Sequence, residues 1–203
     1  MSYFPMYVEL CGKDCLVVGG GKVALRKVEK LREFGAKLFV ISPEILPELA
    51  VMEGVICQKR QFQKTDLEGK ELVVAATDDE ALNHRISQAC RAKKIPVNAV
   101  DQKEDCSFIF PAYVKEGEVV AAFSSGGQSP VITQYLKEQI RPAVTPHLSD
   151  LAVCLGSLRE MVRQCTKTEA ARKKIYKEIL ALGLKKDAIP SEQEIAEIIG
   201  KYQ

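Results

Sequence analysis

Hydrophobic and polar positions alternate in two kinds of block along the first hundred residues. Short apolar runs, many of them β-branched, at residues 15–18, 38–41, 55–58, 72–76 and 97–100 predict strands buried on both faces. Between them, apolar residues recur at helical spacing over 23–34, 45–53 and 80–93, and Gly35 is placed to close the first of these helices. Strand and helix in alternation predict an α/β fold, a Rossmann-type parallel sheet with its ligand crevice at the C-terminal strand ends. The pattern changes after Asp101. Residues 108–114 and 119–123 read as two strands joined by a turn at Gly117, and beyond the loop at 124–130 the chain is helical to its end. Ser129 with Pro130 and Thr145 with Pro146 suit helix starts, and Ser191 with Glu194 reads as a capping box.

Three regions follow: a nucleotide-binding domain over 1–113, a small β/α segment over 114–144, and a helical C-terminal domain over 145–203. Two strands and one helix cannot bury both faces alone, so the middle segment predicts dimerisation and the chain a homodimer. A hydrophobic content of 46% with 28% charged residues fits an ordinary globular domain, and no apolar run nears the roughly 18 residues that span a membrane. The first residues lack the basic and apolar regions of a secretory signal. Seven scattered cysteines suit buried thiols in a reducing cytoplasm better than a disulfide framework or a zinc site, so no resident metal is expected. A net charge of +2 gives no reason to expect nucleic acid.

The strongest chemical signal is the turn after the first strand. Gly19, Gly20 and Gly21, followed by Ala24, fit the G-x-G-x-x-G/A spacing of a dinucleotide site. One glycine permits the turn, another lets the backbone approach a pyrophosphate, and the small residue lets helix and strand pack closely. The second strand ends at Ser42, with Pro43 and Glu44 after it. No acidic residue stands at the strand tip and no arginine is near, so the residues leave NAD and NADP both open. Thr77 and Asp78 follow the fourth strand, and either could cap the next helix; the cap is the commoner role for Asp78, with cofactor contact from the loop as an addition. Asp101 ends the fifth strand beside Val100, Phe108 and Phe110. Desolvated there, it would serve as a base; exposed, it would be a turn aspartate, and the two readings weigh equally. The loop Ser124, Ser125, Gly126, Gly127 is either an anion-binding nest or a simple connector. His84 reads as a surface or packing residue, and His147 at a helix start as a neutral base. Basic residues between Arg159 and Lys174 suit a solvated helix face or a polyanionic ligand.

Four motifs occur together in one order: residues 15–27 around the glycine turn, 74–79 with Leu82 and Asn83, 98–101 with 106–112, and the loop 124–130. On these the chain resembles the precorrin-2 dehydrogenase and sirohydrochlorin ferrochelatase family, the N-terminal part of siroheme synthase. The resemblance implies oxidation of precorrin-2 to sirohydrochlorin with NAD⁺ as acceptor. It also implies a dimer built by the middle segment, and a tetrapyrrole bound between the nucleotide domain and the C-terminal helices. It gives Asp101 the family's functional aspartate, and Lys22, Val23, Pro43 and Glu44 contacts to the cofactor. Asn98, Ser107, Phe108 and the 124–127 loop fall where the substrate would bind. Methyl transfer would belong to a separate protein. Iron insertion, with Asp101 or His147 as base, stands as an open second activity beside a separate chelatase partner. A non-catalytic NAD-sensing module is the competing reading. A carbonyl reductase is disfavoured, since no Tyr-x-x-x-Lys pair follows the fourth strand.

Overall fold

Residues Cys15 to Val18 carry no polar side chain, and they form the central strand of a sheet covered on both faces. In the computed structural model, which describes residues 3–202, β1 (Asp14–Val18), β2 (Lys37–Ile41), β3 (Val55–Gln58), β4 (Leu72–Ala75) and β5 (Val97–Ala99) run parallel in the order β3-β2-β1-β4-β5. Val17 lies opposite Val40 on one side and Val74 on the other. The two-residue period sends Cys15 and Val17 into one core layer with Ala24, Val28 and Leu31 of α1 (Lys22–Arg32). Leu16 and Val18 enter the opposite layer with Ile86 and Cys90 of α3 (Glu80–Ala92). Each fully buried Leu or Val there stabilises the fold by roughly 1.5–3 kcal/mol. The chain leaves β1 towards β2 and returns to β4 on β1's other side. That reversal opens a crevice at the C-terminal ends of β1 and β4.

Three elements differ from the sequence expectation: β3, at the sheet edge, alternates in burial instead of being buried on both faces, with Ile56 53% exposed, and two others change their bounds. The helix expected over 45–53 shrinks to α2 (Pro47–Ala50), because Leu46 precedes a proline and is held extended, with φ −56° and ψ 141°. The strand expected over 108–114 begins only at Ala112, as β6 (Ala112–Glu116). Pro111 has no N–H for a ladder, and Phe108 and Phe110 are drawn instead onto the α1 side of the core, their ring centroids 5.2 Å apart.

The chain divides after Phe110 into two units. In the second, β6 pairs antiparallel with β7 (Val119–Phe123), and Gly117 turns the chain at φ +51° against Ser149 Oγ. Helices α4 (Pro130–Ile140), α5 (Pro146–Ser157), α6 (Arg159–Cys165), α7 (Glu169–Lys186) and α8 (Glu192–Gly200) follow. Ser129, Thr145, Thr168 and Ser191 cap α4, α5, α7 and α8, each accepting a first-turn N–H. Val162, Ile175, Ile179 and Ile198 form the centre of a helical core.

Candidate functional site

The three glycines after β1 meet three different surroundings. Gly19 has φ +124°, and a Cβ there would stand 2.2 Å from the Ala76 carbonyl oxygen. Gly20 is crossed by the β2–α2 loop: a Cβ would lie 2.0 Å from the Glu44 carbonyl oxygen, and the Leu46 N–H donates to the Gly20 carbonyl at 2.9 Å. Gly21 is the N-cap of α1, and nothing lies within 4 Å of where its Cβ would be. Helix α1 opens without a side-chain cap and with no acidic residue in its first turn, so its leading N–H groups and positive dipole end face open space. An open glycine cradle before an uncapped helix start fits the pyrophosphate of a dinucleotide.

This cradle opens into a cleft of about 1130 Å³. Gly19, Gly20, Gly21, Lys22 and Val23 line it from β1 and α1; Ser42, Pro43 and Glu44 from the end of β2; Thr77 and Asp78 from the end of β4; and Asp101 from the end of β5. The structure therefore brings every expected cofactor residue and Asp101 to one cleft. It corrects the cap: Asp79, not Thr77 or Asp78, accepts the Leu82 N–H as N-cap of α3. Thr77 is unavailable because buried Asn83 holds it from both sides. The Thr77 N–H and hydroxyl donate to Asn83 Oδ1 at 3.2 and 2.7 Å, and Asn83 Nδ2 donates to the Thr77 carbonyl at 2.9 Å. Asp78 stays exposed on the cleft wall.

Gln61, Phe62 and Lys64, from the loop after β3, and Arg85 of α3 also line the cleft without having been expected. The loop is fastened by a two-point contact from Arg60 to Asp66, 2.8 and 2.5 Å. The guanidinium hydrogen bond holds the Asp66 carboxyl below its usual range. Residues 60–67 have no apolar period, so only the spacing Gln63 to Asp66, a capping box for the following 3₁₀ turn (Lys64–Leu67), signalled local order there.

Asp101 is exposed, with φ +61°. Of the two readings open for it, enclosed base or exposed turn aspartate, the structure shows the exposed one, because Phe108 and Phe110 turn onto the α1 core layer. The perturbed group nearby is Lys27 of α1. Its ammonium sits 4.0 Å over the Phe110 ring, and burial, assisted by the charge of Lys30, takes it down to about 8. Asn98, Ser107 and Phe108 are not among the described residues lining the cleft. Asn98 is buried and donates to the Phe108 carbonyl at 3.1 Å and to Cys106 Sγ at 3.3 Å. Ser107 Oγ accepts the Val97 N–H at 2.8 Å. Both tie the segment after Asp101 to β5.

Ser124, Ser125, Gly126, Gly127 and His147 lie in the second unit. Of the two readings open for this loop, nest or connector, the structure shows internal hydrogen bonds that hold the turn. The Gly126 N–H donates to Ser124 Oγ at 3.0 Å and the Ser129 N–H to Ser125 Oγ at 2.9 Å, while Gly126 and Gly127 have φ +63° and +79°. His147 Nε2 donates to the Gly183 carbonyl at 3.2 Å, since a carbonyl only accepts. Among the described residues no group of His, Cys, Asp and Glu is arranged to hold a metal ion, and no helix is long and apolar enough to cross a membrane.

Residues 6–112 match a family model described as "Putative NAD(P)-binding". The chain is 38% identical over 183 residues to a siroheme synthase of Thioalkalivibrio sulfidiphilus, covering 89% of this chain and 37% of that protein. It is 43% identical over 166 residues to a siroheme synthase of Ectopseudomonas mendocina, covering 81% and 36%. The chain thus spans little more than a third of the length of these relatives. A solved structure titled SirC, precorrin-2 dehydrogenase, has the same fold, with a TM-score of 0.79 at 23% identity over 98% of this chain and 100% of that one.

Proposed function

We propose, from the premise that this chain belongs to the NAD(P)-binding family matched over residues 6–112 and found here with siroheme synthase relatives, that it oxidises precorrin-2 to sirohydrochlorin with NAD⁺ as acceptor. One observation carries the reading: the open Gly21 cradle at the uncapped start of α1 and the exposed Asp101 line the same cleft. A bound nicotinamide would supply the hydride acceptor.

The chain's own residues do the rest. Gly21 and the first N–H groups of α1 hold the pyrophosphate. Glu44, past the tip of β2, places a carboxylate on the ribose side, where it favours a hydroxyl over a 2′-phosphate. Asn83, by fixing Thr77, keeps the loop after β4 clear of the cofactor's path. Asp101 accepts or relays the proton lost as the hydride departs, or orients a pyrrole N–H. The substrate is a polycarboxylate, and Lys22, Lys64 and Arg85 give the cleft its cations. Replacing Asp101 by Ala should lower turnover at least about tenfold while NAD⁺ still binds. Unchanged turnover would remove Asp101 from the reaction.

A homodimer belongs to the same reading. Helix α4 buries none of its residues, and Val131, Ile132 and Tyr135 are 78, 55 and 58% exposed along it, a patch of the kind that pairs with another chain.

A further inference from the structure

The placement of Asp101 depends on a turn that other residues hold. Three described non-glycine residues have positive φ, and two of them, Lys94 and Asp187, lie at helix ends, where the left-handed form is common. Asp101, at φ +61°, instead joins β5 to a 3₁₀ turn (Lys103–Asp105). It is the third residue of the turn in which the Gln102 N–H donates to the Ala99 carbonyl at 3.4 Å, and the aim of its carboxylate depends on that turn being held.

The support comes from one polar face of α3. His84 Nδ1 meets both carboxylate oxygens of Asp105 at 2.9 Å. Gln88 Nε2 donates to His84 Nε2 at 2.7 Å, which leaves the ring hydrogen on Nδ1, aimed at Asp105. The hydroxyl of Ser87, fully buried, donates to the Asp105 carbonyl at 2.6 Å, and Arg91 donates to the Glu104 carbonyl at 2.5 Å. One turn earlier, the Glu80 carbonyl accepts from Gln102 Nε2 at 3.0 Å. Residues 80, 84, 87, 88 and 91 share a helix face by spacing, and the sheet is packed by others, chiefly Ile86 and Cys90. Cys106 completes the hold from beneath, its Sγ 3.1 Å from the Ala99 carbonyl and 3.3 Å from that of Gln102.

We infer that His84, Ser87 and Arg91 are positioning residues for Asp101: through the 3₁₀ turn they hold its left-handed backbone so that the carboxylate stays at the cleft. The inference rests on the role proposed for Asp101 and goes beyond it by assigning that role's support to α3. None of the three residues lines the cleft, and none needs to touch a ligand to act.

Turnover and NAD⁺ affinity are to be measured for Arg91→Ala, Arg91→Lys and His84→Gln, each alone and in an Asp101→Ala background. Arg91→Ala should lower kcat about tenfold with NAD⁺ affinity within about twofold of the parent, since a small misplacement of a reacting group costs rate rather than binding. Arg91→Lys should recover part of the loss. In the Asp101→Ala background Arg91→Ala should subtract nothing more, because residues that act through one group are not additive. Equal losses in both backgrounds, or no loss from Arg91→Ala alone, would overturn the inference. Should Arg91→Ala fail to bind NAD⁺, exposed His84→Gln carries the same comparison. If Asp101→Ala is slow while both clamp variants are fast, only the positioning inference falls. If Asp101→Ala is itself as fast as the parent, the role of Asp101 falls first.

Discussion

Gly20 and Gly21 stand side by side and answer to different neighbours. Gly20 has backbone where a Cβ would go, so Gly20→Ala should cost about 1–3 kcal/mol of stability through overpacking. Gly21 has open space, so Gly21→Ala should fold nearly as well as the parent, losing under about 1 kcal/mol as a poorer cap, yet weaken NAD⁺ binding at least about tenfold. Thermal melts beside a binding titration separate the two; equal loss of stability in both variants would contradict the assignment. Lys27 gives a second prediction at this scale. Burial lowers it from 10.5 to about 8, so between these values the unfolded chain binds more protons than the folded one and stability rises with pH. Cys15 and Cys90, raised by burial from 9.0 to about 11 and about 12, act oppositely above pH 9. Melts at pH 7 and pH 10 should therefore show Lys27→Met gaining on the parent at the lower pH and losing that gain at the higher; a difference independent of pH would refute the cause. The glycine turn was legible because its spacing alone defines it. The cap of α3 was not: Thr77, Asp78 and Asp79 all qualify by type, and only the capture of Thr77 by Asn83 decides for Asp79.

Among elements, the parallel strands could be read because their inward positions are apolar, although β5 also buries Asn98 and β3 lies at the sheet edge. Their ends shifted by a residue, as at β4 and β5. Proline produced the other misreadings. Pro47 delays α2, and Pro111 keeps Phe108 and Phe110 out of β6 so that they pack on the α1 layer instead. The polar face of α3 was invisible for another reason. Its partners are backbone carbonyls and a carboxylate around residue 105, a pairing that no helical period encodes. Helix α4 carries a prediction of its own. Val131 and Tyr135 stay exposed along it in the single chain, as a segment that pairs with another copy would leave them. Sedimentation at micromolar concentration should show a dimer for the parent and a monomer when Val131 and Tyr135 are both replaced by Glu. A monomeric parent would leave the stripe without that explanation.

At the scale of the whole molecule, one unit supplies a nucleotide crevice with an aspartate at its edge, and the other a hairpin with five helices. The crevice was legible in outline because a topological switch follows from strand order, and every expected cofactor residue reached it. Asn98, Ser107 and Phe108 do not line it. Asn98 and Ser107, expected at the substrate, tie the chain behind Asp101, and the 124–127 loop bonds to itself. Spacing along a chain does not reveal which side of a backbone turn a polar side chain will satisfy. The proposed NAD⁺-dependent oxidation of precorrin-2 is read out under anaerobic conditions by following NADH formation and the visible spectrum together. The expected result is NADH and sirohydrochlorin appearing in equal amounts, faster with NAD⁺ than with NADP⁺ and abolished without protein. Binding of NAD⁺ with no NADH formed in the presence of precorrin-2 would contradict it.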